Sequence, residues 1–231
     1  MNLKLTLENG TSKELDFTIT KMINAGRTNR DIEDTKKHLE ELRKGGANLS
    51  DEIPVFHPKI KDKITTGNEI EVLPGSRTSG EVEYVILLQK DKIYIGVGSD
   101  HSDRELQKHS SGLSKQICPN IMSPKVWDYE DVKDTWDEMV MRSWVEEDEE
   151  RKLYQEDKLG TMMRPEEVIE ETKSRVSGDL DGAVIYAGTF PTLSGDLSFT
   201  NRFEMEIADE SRNKKLHHVY YVKPITWFKK K

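Results

Sequence analysis

Glu81 and Glu83 open an otherwise apolar run, Glu81-Val82-Glu83-Tyr84-Val85-Ile86-Leu87, and Asp100 closes the next one within Gly98-Ser99-Asp100-His101. Extended backbone sends residues i and i+2 to the same face, so the two glutamates point into one space. Three carboxylates converging there make a hard, oxygen-rich site suited to Mg²⁺ or Mn²⁺, with Ca²⁺ also a fit. The plainer alternatives are a solvated strand face for the glutamates and a helix N-cap for Asp100, opening a short helix over 102–108. Acids gathered this closely repel one another, and burying them unpaired is strongly unfavourable. A cation at their centre removes that penalty, so the trio points to metal binding.

Other residues could act around such a centre. Arg104 and Gln107 share one helical face, and Arg104 lies four residues after Asp100. A guanidinium grips a carboxylate through two parallel hydrogen bonds, as an acidic substrate requires; a surface pair with Asp100 is the alternative. Thr189, in the turn Ala187-Gly188-Thr189-Phe190-Pro191, offers a hydroxyl and a following N–H to a carboxylate, unless it is a plain turn residue. His38 and Glu41 are i, i+3 neighbours, so the carboxylate can orient the imidazole as a general base, or the two form a chance pair on an exposed helix. Lys115 on its own reads as a solvent lysine. His101, His109, His217 and His218 read as structural or exposed.

The elements that must carry these residues are mostly strands. Leu3 to Leu7 alternates and breaks at Asn9-Gly10, a hairpin signal, before Leu15 to Ile19. A helix is expected from about Asn29 to Lys44, stopped by Gly45-Gly46, with few apolar positions and hence a surface or lid character. Residues 47–80 read as loop-rich, with Pro54, Pro58, Gly67, Pro74 and Gly75 punctuating short extended pieces. Strands are expected over 81–88, 93–97, 139–145, 152–155, 183–187, 202–207 and 216–222, with a helix from Pro165 to about Val176. The fold class is mixed and mostly β in one domain. An N-terminal hairpin (1–21) and a lid-like segment (22–50) precede a β-rich core (51–231).

Composition narrows the partners. The 231 residues carry a net charge of −8, which speaks against nucleic acid; only the tail Phe228-Lys229-Lys230-Lys231 is basic. Cys118 is the single cysteine, so no intrachain disulfide forms; it reads as a packed small hydrophobe in a reducing compartment. No run approaches the roughly 18 apolar residues of a membrane span, and no signal peptide opens the chain, so a cytoplasmic protein is expected.

Taken in order, these segments resemble the fumarylacetoacetate hydrolase superfamily, in a bacterial branch of it. Glu81-Val82-Glu83 looks like its E-x-E strand, and Asp100-His101-Ser102-Asp103-Arg104-Glu105-Leu106-Gln107 like its D-x-x-x-R-x-x-Q segment. Ser114-Lys115 stands where that family places a lysine, Gly188-Thr189 is similar to its Gly-Thr-Pro turn, and His38-Leu39-Glu40-Glu41 matches an H-x-x-E element carried in a mobile lid. The spacing from Gly26-Arg27 to His38 is several residues longer than the family pattern, and the turn after Thr189 differs. The resemblance implies a β-roll with short helices and a helical lid, assembled as a homodimer. It implies metal ligation by Glu81, Glu83 and Asp100, and Lys115 as a donor to the oxygen that becomes negative. Arg27, Arg104, Gln107 and Thr189 would hold substrate, and His38 with Glu41 would activate water. The implied reaction is acylpyruvate-type hydrolysis of a small 2-oxo or 1,3-diketo acid, with oxaloacetate-type decarboxylation, hydration or isomerisation on the same site as alternatives. A non-catalytic domain binding a small acid or a protein is the alternative of another class.

Overall fold

The computed structural model describes residues 1–8, 12–44 and 50–228; for Asp34, His38 and residues 41–44 it describes the backbone alone. The Asn9-Gly10 turn, the Gly45-Gly46 stop and the lysines at 229–231 therefore lie outside the described residues. Alternation of Leu3, Leu5 and Leu7 makes strand β1 (Asn2–Glu8), which pairs with β2 (Ser12–Thr18) as an antiparallel hairpin. Next come β3 (Lys21–Gly26), helix α1 (Ile32–Lys44) and the short strands β4 (Val55–Lys59), β5 (Ile64–Thr65), β6 (Glu69–Val72) and β7 (Thr78–Ser79). The apolar hairpin β8 (Val82–Gln89) and β9 (Lys92–Ser99) follows, then β10 (Ser102–Asp103), α2 (Arg104–Gln107) and α3 (Ser111–Ile117). Strands β11 (Asn120–Met122), β12 (Lys125–Asp128), β13 (Val140–Glu147) and β14 (Glu150–Lys158) precede helix α4 (Pro165–Lys173). The chain ends in β15 (Ala183–Tyr186), β16 (Arg202–Asp209) and β17 (Lys214–Pro224).

A large sheet runs β2-β1-β12-β9-β8-β15-β3-β4, with β11 bridging β9 to β5, and a second runs β14-β13-β16-β17-β6. Strand β8 is buried on both faces and feeds two cores. Tyr84 and Ile86 join a cluster with Trp136 and with Met205 and Tyr220 of the second sheet, whereas Val85 and Leu87 join Leu3, Leu5, Phe17 and Tyr186. Glu83 shares the parity of Val85 and Leu87, so the strand drives its carboxylate to that second side. Gly98 lies opposite Glu83 in β9, and an added Cβ there would sit 2.6 Å from the Tyr186 ring and 2.8 Å from the Ile121 carbonyl. The hairpin can approach its neighbours this closely only without a side chain at that point.

Several elements differ from the sequence expectation. Helix α3 arises inside a serine- and glycine-containing stretch, fixed by Ser110, whose Oγ accepts the Leu113 N–H at 3.3 Å. Strand β4 is one of the short extended pieces expected within the loop-rich stretch, and it forms the edge of the large sheet, where a proline at 58 is tolerated. Strands β13 and β14 are longer than expected and meet at Asp148-Glu149, both in left-handed conformation. Among the described residues no helix is long and apolar enough to cross a membrane.

Candidate metal centre

Glu83 emerges from β8 at 2% exposure, Asp100 follows β9 at 0%, and one oxygen from each, with one from the half-buried Glu81, lies within 4.8 Å of the others. The backbone makes this convergence. The Asp100 N–H donates to the Glu81 carbonyl at 3.1 Å, continuing the β8–β9 pairing past the strand ends. The Glu81 N–H donates to Ser99 Oγ at 3.2 Å, and that hydroxyl shares a 3.0 Å hydrogen bond with the Tyr220 phenol, which also meets His101 Nδ1 at 2.9 Å. The second sheet thus braces the strand ends that present the acids.

Each carboxylate is held by a different device. Glu83 Oε2 accepts the Gly188 N–H at 2.9 Å from a glycine at φ 92°, a left-handed turn where an added side chain would also overlap Thr28. Glu81 accepts Arg104 Nη1 at 3.0 Å; Nη1 also donates to Gln107 Oε1 at 2.9 Å, and Arg104 Nε donates to Ser79 Oγ at 2.6 Å. Asp100 Oδ2 accepts the Lys115 ammonium from α3. Its second oxygen, Oδ1, is buried and has no hydrogen-bond partner. An orphaned buried carboxylate oxygen is strongly unfavourable, and in an all-oxygen trio it fits direct ligation of a divalent cation. The N-cap role considered for Asp100 belongs to Asp103, which accepts from Glu105 N and Leu106 N.

Burial and the neighbouring Asp100 charge push the Glu83 carboxyl well above its usual range, with Glu81 adding to the shift and Lys115 opposing it. Burial alone would raise Asp100 too, but Lys115 and Lys59 overcome it and hold this carboxyl below its usual value. Burial disfavours the Lys115 charge, yet Asp100, Glu81 and Glu83 hold its pKa above normal. Opposite shifts in adjacent acids, set by burial and by specific charged neighbours, mark this cluster as a candidate functional site.

The structure brings Glu81, Glu83, Asp100, Lys115, Arg104 and Gln107 together. The Arg104 guanidinium, expected to grip substrate, is committed to Ser79, Glu81 and Gln107. Thr189 Oγ1 accepts Gln155 Nε2 at 2.9 Å, beside the turn that holds Glu83. Arg27, at φ 58°, donates Nη1 to the Ser50 and Glu52 carbonyls at 2.7 and 3.0 Å. His38 and Glu41 sit on α1, and their side chains lie outside the described residues.

Sequence reasoning missed four neighbours. Lys59 is buried, its ammonium donating to the Cys118 carbonyl at 2.9 Å and to Asn120 Oδ1, and burial lowers its pKa to about 8. Asn24 is buried close enough to Asp100 to favour its ionised form, yet its amide nitrogen has no partner. Gln155 Oε1 accepts Val82 N and Ser143 Oγ while its amide holds Thr189 and the Phe190 carbonyl, tying β8, β13 and the 188–190 turn together. His57 stands near Lys115. A lone amide inside Met22-Ile23-Asn24-Ala25 was the one visible signal.

Because Arg104 fixes Glu81, replacing Arg104 by methionine is expected to weaken Mn²⁺ binding about 10–100-fold in a calorimetric titration. Unchanged affinity would show that Glu81 needs no such support.

A family model described as protein of unknown function (DUF2848) matches residues 25–220. No curated protein sequence matches the chain. Among solved structures, Cg1458 superposes with a TM-score of 0.66 at 16% identity, over 93% of this chain and 84% of its own. A 2-keto-3-deoxy-D-arabinonate dehydratase complexed with magnesium and 2,5-dioxopentanoate gives 0.65 at 14% identity, over 95% of this chain and 78% of its own. A Yersinia pestis protein described as belonging to the fumarylacetoacetate hydrolase family gives 0.63 at 15% identity, over 95% of this chain and 100% of its own. At these identities the likeness is one of fold, and it is the mostly β fold that the sequence resemblance implied.

Proposed function

The chain belongs to the DUF2848 family, and from that premise we propose that it is an enzyme acting on a small 2-oxo acid with a divalent cation held by Glu81, Glu83 and Asp100. The observation that carries this reading is the carboxylate trio, Glu83 and Asp100 buried and Glu81 half-buried, with an orphaned Asp100 oxygen; solvated strand ends would satisfy theirs with water. Mg²⁺ or Mn²⁺ fits the donor set. When bound, the cation supplies Lewis-acid stabilisation to the oxyanion that develops at C2 of the substrate.

The protein groups set the rest. Three carboxylates face the cations of Lys59, Arg104 and Lys115, so a divalent ion leaves the cluster with excess positive charge, the balance that an anionic chelating substrate meets. Lys115 points its ammonium at Asp100 and stands ready to donate to an oxygen gaining charge. Thr189, Gln107 and Arg27 orient the far end of the substrate, and Arg104 holds Glu81 and Gln107 in place. On the spacing of the sequence, His38 with Glu41 activates water against a distal carbonyl, giving acylpyruvate-type C–C cleavage. Decarboxylation needs no such water. Dehydration is the second reading, favoured by the magnesium-complexed dehydratase among the structural neighbours.

The test is a panel of acylpyruvates, oxaloacetate and 2-keto-3-deoxy sugar acids with Mg²⁺ or Mn²⁺, followed by pyruvate release or loss of the substrate. The reading expects turnover of at least one member that EDTA abolishes and Mn²⁺ restores. No metal-dependent turnover across the panel would refute it.

A further inference from the structure

Every variant of the proposed reaction moves a proton at C3, the carbon beside the 2-oxo group. Hydrolysis and decarboxylation leave an enolate to be protonated there, and dehydration begins by removing that proton. The group responsible must stand beside the oxygen-rich centre with an ionisable nitrogen free to exchange protons.

His57 stands in that place. It lies directly across from Asn24 in the β3–β4 register and two residues from Lys59, so Asn24, His57 and Lys59 share one face. Directly opposed side chains start about 5 Å apart, so the imidazole neighbours Asn24, which in turn neighbours Asp100. Helix α3 closes over this face. Gln116 Nε2 donates to the Pro58 carbonyl at 2.9 Å, its Oε1 accepts Ile60 N at 3.1 Å, and a Cβ added to Gly112 would sit 3.7 Å from His57 Nδ1. The half-buried ring lies within electrostatic reach of Lys115 of α3, Asp100, Arg27 and Glu52, with Lys59 two residues along its own strand. Neither ring nitrogen is hydrogen-bonded to another described residue. Asn24, on the same face, directs its side chain toward Asp100 and favours that residue's ionised form.

We propose that His57 carries the proton to and from C3 of the 2-oxo acid. In one direction a ring nitrogen takes the proton, the C3–H electron pair becomes the C2–C3 double bond, and the C2 oxygen takes the negative charge. In the other, the imidazolium returns its proton to C3 and the C2 carbonyl re-forms. Burial and the nearby Lys115 charge keep the ring's pKa below its usual value, so the base form prevails at neutral pH.

This inference rests on the metal-centre reading, and one experiment separates the two. Pyruvate, the fragment common to these reactions, is incubated in D₂O with Mg²⁺ and the wild-type protein, Glu83→Gln or His57→Asn. Methyl exchange is followed by proton NMR, and Mg²⁺-dependent pyruvate binding by calorimetry. The wild type is expected to exchange the methyl protons, faster as pH rises through the imidazole's ionisation. His57→Asn is expected to lose exchange about 100-fold or more while binding pyruvate within about threefold of the wild type. Exchange at the wild-type rate in His57→Asn overturns the assignment, and so does exchange lost only together with binding. A wild type that binds pyruvate but exchanges nothing also overturns it and leaves the metal centre standing. A wild type that neither binds nor exchanges overturns the reading beneath it as well.

Discussion

Replacing Glu83 by glutamine is expected to flatten the pH dependence of stability in the metal-free protein and to erase the stabilisation that Mn²⁺ gives the wild type. Glu83 is buried with Asp100 and Glu81 around it, and its folded pKa lies well above the ordinary 4.5. A carboxyl raised in the folded state contributes stability that is whole below the unfolded value and is lost as pH climbs through the folded one. Each unit of upward displacement is worth about 1.4 kcal/mol. In EDTA, the wild type should therefore lose melting temperature as pH rises above about 4.5, whereas Glu83→Gln should not. Asp100 acts in the opposite sense at lower pH. Its depressed pKa adds stability above about 3.8 that is lost on acidification in both proteins. Mn²⁺ at about 100 times its dissociation constant stabilises the wild type by about 2.7 kcal/mol, or about 5–10 °C for a chain of this size. Glutamine keeps the size of the side chain and an oxygen for the Gly188 N–H, so the lost response would report the ligand and not a collapsed fold. An equal Mn²⁺ shift in the variant would remove Glu83 from the ligand set.

Lys115→Met is expected to be the most destabilising single change at the site. Asp100 is wholly buried and Lys115 nearly so, and removing one partner of a buried pair typically costs about 3–5 kcal/mol because the other charge is left uncompensated. The double variant Lys115→Met with Asp100→Asn should recover most of that loss, since it removes the stranded charge. Urea unfolding in EDTA measures both. A single-variant loss below about 1 kcal/mol would mean that the pair is relaxed by water and that Lys115 is free for another role.

The carboxylate trio was legible because strands repeat with period two. Glu81, Glu83, Val85 and Leu87 announce their shared face without any knowledge of the partners, and the apolar hairpin 82–99 carries its own strand signal. The wall opposite was not legible. Pro54 and Pro58 make residues 47–80 read as loop-rich with only short extended pieces; Pro58 lies on an edge strand where its missing N–H does little harm, and the pairing that places His57 and Lys59 was hidden with it. Helix α3 depends on the Ser110 cap and on Gln116 bonding to β4, tertiary support that overrides the weak propensity of Ser111-Gly112. The parallel pairing of β1 with β12 joins residues more than a hundred positions apart, which no local pattern reports. Arg104 was found as a site residue, but its bond to Glu81 was not foreseen. Spacing along α2 shows Gln107 and not Glu81, which arrives from β8.

The central claim is that Glu81, Glu83 and Asp100 ligate one divalent ion. The most direct measurement is an anomalous difference map from a crystal grown with Mn²⁺. One peak is expected, within about 2.0–2.6 Å of a carboxylate oxygen from each of the three residues, Asp100 Oδ1 among them. A map with no peak there, at saturating Mn²⁺ and with the three acids in place, would contradict it.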